Sequence, residues 1–138
     1  MKKLLFAFAA SALLASCQIE PPVSELFFLL DNRSSYDIEV ILKPDKDTYL
    51  VNFPDKTFLA QISQNSLGTI GRVLVEGGYF NPLEYIDTIC LYHISKNAEK
   101  VLVYEQNEPI SQTHWKIEHP QEYRSKSTLI FTDDMIQR

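Results

Sequence analysis

Three histidines, one cysteine in mid-chain and a few acid-rich stretches are the residues of this 138-residue chain whose types and spacing could do chemistry. The densest group is HWKIEH, with His114, Glu118 and His119. On a helix His114 and Glu118 would share a face at i, i+4. A metalloprotease needs H-E-x-x-H or H-x-x-E-H, however, and this stretch is one residue out of register, with Pro120 directly behind it. It reads as a solvated turn, and no metal is expected. DKDTYLVN at 45–52 has the acids that open a calcium loop, but Tyr49 takes the fifth position and Leu50 the sixth, where the loop needs Asp or Asn and then Gly. It reads as a hairpin turn. No G-x-S-x-G elbow occurs, the four glycines form no phosphate loop, and His93, His114 and His119 carry no local triad signature. No catalytic residue and no cofactor are therefore expected, and a small metal-dependent or cysteine hydrolase is the weakest of the functional readings. In TICLYHI, Cys90 shares a strand face with Thr88, Tyr92 and Ile94 and reads as a small buried hydrophobe rather than a nucleophile.

Cys17 is another matter. Lys2 and Lys3 precede twelve uncharged residues, Leu4 to Ala15. That is too short for a bilayer span, which takes roughly 20 apolar residues, and it fits the n- and h-regions of a secretory signal. Leu14, Ala15 and Ser16 then lead straight into Cys17. This resembles the lipobox of bacterial lipoproteins, cut before a cysteine whose thiol carries a diacylglyceryl group. The resemblance implies that residues 1–16 are removed and that Cys17 is lipidated with palmitate-type chains. Two or three acyl chains hold a protein stably at a membrane, since each buried CH₂ contributes about 0.8 kcal/mol. Residues 17–24 would then form a short tether stiffened by Pro21 and Pro22. Gln18 stands where an inner-membrane retention signal would place aspartate, so the outer membrane is expected, facing the periplasm or the cell surface. Gln18 and Glu20 loosely resemble the export tags of surface lipoproteins.

Without Lys2 and Lys3 the 13 basic residues become 11, against 18 acidic ones, a net charge of −7. Nucleic acid is a poor partner for such a chain, because phosphate binding needs a basic stripe. With Cys17 committed to lipid, Cys90 has no intramolecular partner, so stability must come from an apolar core rather than a disulfide.

The elements that must supply that core follow period two. LFFLL at 26–30 is a continuous apolar run, and YDIEVIL puts Tyr36, Ile38, Val40 and Leu42 on one face, with Asp37 and Glu39 on the other. Strand starts are expected near 26, 36, 48, 58, 69, 87, 100 and 127, with a hairpin over 87–106. The early spacing of 10 to 12 residues matches the rhythm of a sandwich, and no long helical pattern separates the strands. The fold class predicted is all-β: one antiparallel β-sandwich over 25–138, immunoglobulin-like or transthyretin-like, with about eight strands. Short helical turns are expected where Ile110, His114 and Ile117 step by four and three, and at TDDMIQR, with Thr132 as N-cap and Asp133 and Asp134 in the first turn.

NRSSYDIEVIL, DTICLYH and TLIFTDDMI together resemble small uncharacterised lipoproteins of anaerobic Gram-negative gut bacteria, a likeness that implies the fold and no catalytic residues. His93 departs from it, standing where a large apolar residue is expected. NRS at 32–34 is a formal N-glycosylation sequon that reads as a turn. DTI at 87–89 matches an O-glycosylation pattern at Thr88, with a plain strand start as the competing reading. The remaining lead is aromatic. Tyr79, Phe80, Tyr85, Trp115 and Tyr123 fall in segments read as loops, where rings could stack on sugars or anchor a protein. Two functions stay open: a lipoprotein presenting an interaction surface to a protein, and a glycan-binding module. Either would use loops at 64–69, 77–86 and 107–126.

Overall fold

The computed structural model describes residues 22–45, 57–78 and 81–137. Alternation at period two becomes eight strands there: β1 (Val23–Asn32), β2 (Ile38–Pro44), β3 (Phe58–Ile62), β4 (Ser66–Glu76), β5 (Ile86–Ile94), β6 (Lys100–Asn107), β7 (Trp115–Gln121) and β8 (Arg124–Phe131). They form two four-stranded sheets, sheet A in the order β4-β1-β8-β7 and sheet B in the order β3-β2-β5-β6. Every neighbouring pair is antiparallel except β1 and β8, which run parallel at the centre of sheet A. The all-β sandwich is as the sequence predicts, and the 87–106 hairpin is β5–β6.

The inner faces supply the core. Leu26, Phe28 and Leu30 of β1, Ile38, Val40 and Leu42 of β2, Ile89 and Leu91 of β5, and Leu129 and Phe131 of β8 are all fully buried. Burying each contributes about 1.5–3 kcal/mol relative to leaving it exposed. Tyr36, expected to continue the Ile38 face, lies before the strand and is exposed; its ring packs on His93 with centroids 4.2 Å apart and the planes tilted by 49°. That contact explains how a histidine occupies an apolar position: His93 pairs with Ile38 and caps the inner face with an aromatic partner.

Asn32 is fully buried and ties the β1–β2 connection together. Its Nδ2 donates to the carbonyls of Tyr36 (2.7 Å) and Ile62 (3.0 Å), and its Oδ1 accepts from the Ser34 backbone N–H and hydroxyl. The amide of the NRS sequon is therefore spent on the fold, in keeping with its reading as a turn.

Two expectations need correction. The Ile110–His114–Ile117 spacing is not helical. Residues 115–121 form β7, an edge strand that pairs with β8 from Trp115↔Leu129 to Gln121↔Arg124, and edge position lets Pro120 sit without a ladder bond. A long-range pairing overrides the local periodicity. For the same reason the loop regions shrink: 66–69 belongs to β4 and 82–85 is a 3-10 turn whose N-cap Asn81 accepts from the Leu83 N–H at 3.1 Å. The strand expected near 48 lies outside the described residues. At the chain end, Asp133–Met135 forms one 3-10 turn, but Thr132 makes no capping bond. Asp133 instead accepts from the Ser35 hydroxyl (2.6 Å) and N–H (2.9 Å), which hold its carboxyl below the usual range.

One irregularity matters for the outer surface. β1 and β4 shift register between Phe28↔Gly71 and Leu29↔Thr69, so Ile70 is an extra residue in β4. Ile70 and Gly71 are both buried, while Thr69 and Arg72 are both exposed. A bulge of this kind re-aims the side chains that follow it. Without it, Arg72 would fall on the inner face. The position needs glycine: a Cβ there would lie 2.6 Å from Leu42 Cδ2 and 3.2 Å from the Phe58 ring.

Candidate functional site

Thr69 and Arg72, set outward by the bulge, join Glu25, Phe27 and Leu29 of β1 and Arg124 and Lys126 of β8 on the outer face of sheet A. Phe27 sits at its centre, paired with Arg72 on one side and Lys126 on the other. The guanidinium carbons of Arg72 and Arg124 lie 5.7 and 5.8 Å from the Phe27 ring centroid, within cation–π range.

Glu25 holds both arginines in place. Its Oε2 accepts from Arg72 Nε (3.1 Å) and Nη2 (2.9 Å), and its Oε1 lies 3.5 Å from Arg124 Nη2. The Arg72 hydrogen bonds are the main cause that keeps the Glu25 carboxyl below its ordinary range, with Arg124 adding to it. One carboxylate thus faces two guanidiniums, and the cluster keeps a net positive charge. Arg124 is the less committed of the two, with a single long contact where Arg72 has two short ones.

Beside this cluster opens a cleft of about 230 Å³, lined by Phe27, Leu29, Thr69, Pro120, Arg124, Ser125 and Lys126. Its lining contains two cations and no carboxylate, on a chain whose formal charge is −5. Lys126 makes no ion pair among the described residues. Leu29 points away from the core yet is only 9% exposed, so the cleft has an apolar floor.

The residues singled out in the sequence fall elsewhere. Trp115 is in β7, not a loop, and is buried, its ring edge-on to Phe28 at 6.5 Å and its indole N–H without a partner among the described residues. Its place is the core, because β7 alternates Trp115 and Ile117 inward. Tyr85 ends the 3-10 turn and is half-buried, while Tyr123 is exposed in the β7–β8 turn, where its carbonyl accepts from the Glu25 N–H at 2.8 Å. Tyr123 therefore stands at the margin of the cationic cluster, far along the hairpin from Trp115. Tyr79 and Phe80 lie outside the described residues, as does Cys17. Thr88 is half-buried in β5, its hydroxyl 3.1 Å from Asn107 Oδ1 and 3.3 Å from Asp87 Oδ2.

The groups with catalytic chemistry are dispersed. Cys90 and His93 are three residues apart on one strand and so face opposite sides of sheet B. Burial, and then the nearby Glu105, push the Cys90 thiol up, away from the thiolate form a nucleophile needs. Cys90 is only half-buried, on the outer face, so it is less enclosed than the sequence reading holds. His114 is in an exposed turn with φ of 70°, and His119 is exposed on β7. Among the described residues no three His, Cys, Asp or Glu side chains are grouped to hold a metal ion.

Sequence reasoning missed Phe27, Arg72, Arg124 and Lys126. The signal for Arg72 was present in TIGRVLVE, where the apolar alternation slips by one residue across Ile70 and Gly71. No protein-family model, curated protein or solved structure matches the chain.

Proposed function

We propose that this protein is a non-catalytic lipoprotein, anchored through Cys17 in the outer membrane, that presents a binding surface, and that the binding surface is the outer face of sheet A. The observation that carries this reading is the Arg72–Phe27–Arg124 cluster, in which a bulge, a shared carboxylate and an aromatic ring together hold two cations beside an apolar cleft. Cationic groups fixed in advance lose little freedom on binding, which is how a small site gains affinity. The LLASC sequence supports the anchor, and the prolines at 21 and 22 support a short tether that would keep the sandwich close to the membrane. A glycan platform of loop aromatics has less support, since Trp115 is in the core and Tyr85 is half-buried against it, which leaves Tyr123 as the exposed ring of the three. A hydrolase has less still, given the separated histidines and a Cys90 thiol that burial pushes up.

A photo-crosslinking amino acid at position 69, on the cleft, and another at position 61, on the outer face of sheet B, would be compared on intact cells. Crosslinked product is expected from position 69 and not from 61. Equal product from both, or product from 61 alone, overturns the assignment of the face. A Cys17→Ser variant is expected to remain unprocessed or soluble, and unmodified Cys17 at the mature N-terminus would refute the anchor. A hydrolase activity of the purified domain, lost on changing Cys90 or a histidine to Ala without unfolding, would refute the non-catalytic reading.

A further inference from the structure

We infer that the cleft beside Phe27 takes a small carboxylate with an apolar body; this rests on the reading of sheet A as the binding face and names its ligand class. The charge argument comes first. Arg124 and Lys126 line the cleft and no acid does; Glu25 is already committed to Arg72 and Arg124, and Glu118, opposite Lys126 in the ladder, is paired with Lys116 at 3.4 Å. Arg124 has a single 3.5 Å contact to Glu25, which leaves guanidinium donors for a planar carboxylate, and hydrogen bonds between such charged groups are about twice as strong as neutral ones.

The body of the ligand follows from the floor and walls. Phe27, Leu29 and Pro120 are apolar, and they flank the two cations rather than lying apart from them. Both guanidinium carbons lie within 6 Å of the Phe27 ring centroid, so a ligand that meets this ring meets cationic groups beside it. What the cleft offers is an apolar edge and floor with two cations at one side. The space, about 230 Å³, is below the roughly 300–1,000 Å³ of drug-sized sites, which suits a single small molecule. Thr69, on β4 beyond Leu29, adds a polar side chain to the lining.

The test uses 3-phenylpropionate and hexanoate, each against its carboxamide, titrated into the purified mature domain and followed by the backbone resonances of β1, β4 and β8. Each carboxylate is expected to bind at least tenfold more tightly than its amide, and the Arg124→Gln/Lys126→Gln double variant to bind it at least tenfold more weakly. Binding to the unaltered protein should also weaken as salt is raised, a measurement that does not depend on the variant folding. Leu59→Ser, on the other sheet, should bind as the unaltered protein does. Equal binding of acid and amide, insensitivity to salt, undiminished binding by the folded double variant, or no perturbation by either carboxylate would each overturn the assignment. If the probes fail while position 69 still crosslinks on cells, the ligand class falls and the binding face stands.

Discussion

The outer faces of the two sheets carry hollows of nearly equal size, about 230 Å³ on sheet A and about 220 Å³ on sheet B, yet their chemistry differs. On sheet B the hollow is lined by Glu39, Leu59, Ala60 and Gln61. Glu39 is already paired with Lys100 at 2.7 Å, and Leu59 stands 68% exposed with little around it. On sheet A the charged groups are held by a shared carboxylate against a ring, with cationic capacity left over. Volume alone therefore does not mark a site. What separates the two faces is whether side chains are fixed by partners that leave their charge unspent.

The bulge is where that difference can be broken most strongly. Gly71→Val would drive a branched side chain against Leu42 and Phe58. Overpacking of a filled core costs about 1–3 kcal/mol, and at this chain length, between the small- and large-domain values, each kcal/mol lowers Tm by about 3–5 °C. A melt unchanged within a degree would mean that β4 can relax and that the bulge does not fix Arg72.

Phe27→Ala comes next. It removes a half-buried ring and both cation–π contacts, for a loss of about 1–2 kcal/mol in denaturant unfolding. An equal loss from Leu102→Ala, 41% exposed on β6, would erase the distinction between the faces.

Glu25 gives the comparison a pH axis. Its folded carboxyl titrates below its unfolded value, so its contribution is complete above the unfolded pKa and disappears as pH falls through the folded one. Solvent screening keeps the contribution under about 1 kcal/mol. Glu25→Gln should therefore be less stable than the parent at neutral pH and converge with it in acid. Curves that stay parallel down to acid pH would show that the arginines are not held through that charge.

The fold was legible because its determinants are local. Ile38, Val40 and Leu42 alternate without interruption, and they are all buried. β7 was not legible, because His114, Pro120 and the four- and three-residue steps of Ile110, His114 and Ile117 obscure a strand that exists through pairing with β8. The cleft was less legible still. Its residues come from β1, β4, β7 and β8, separated by up to a hundred positions, and each looks in sequence like an ordinary outward residue. Aromatics in apparent loops drew attention instead, and Trp115 shows the weakness of that signal: a strand that pairs only at long range can look like a loop, and its large ring then belongs to the core.

The smallest effect is expected at Leu59, and it bears on the other half of the comparison. Leu59 projects from β3, a five-residue edge strand, on the outer face of sheet B opposite Ile41. Being 68% exposed, it has little apolar area to lose on unfolding, and surface substitutions away from caps, cores and charge networks stay within about 0.5 kcal/mol. Leu59→Ser should therefore leave the denaturant midpoint and the crosslinking from position 69 unchanged. A short strand that has a single neighbour among the described residues is also where two chains can pair, so an exposed leucine there favours association more than folding. The variant is accordingly expected to elute in size-exclusion chromatography as the parent does, or with less self-association at high concentration. A loss of stability above about 1 kcal/mol would instead reveal that Leu59 is covered in solution, and sheet B would then carry an interface of its own.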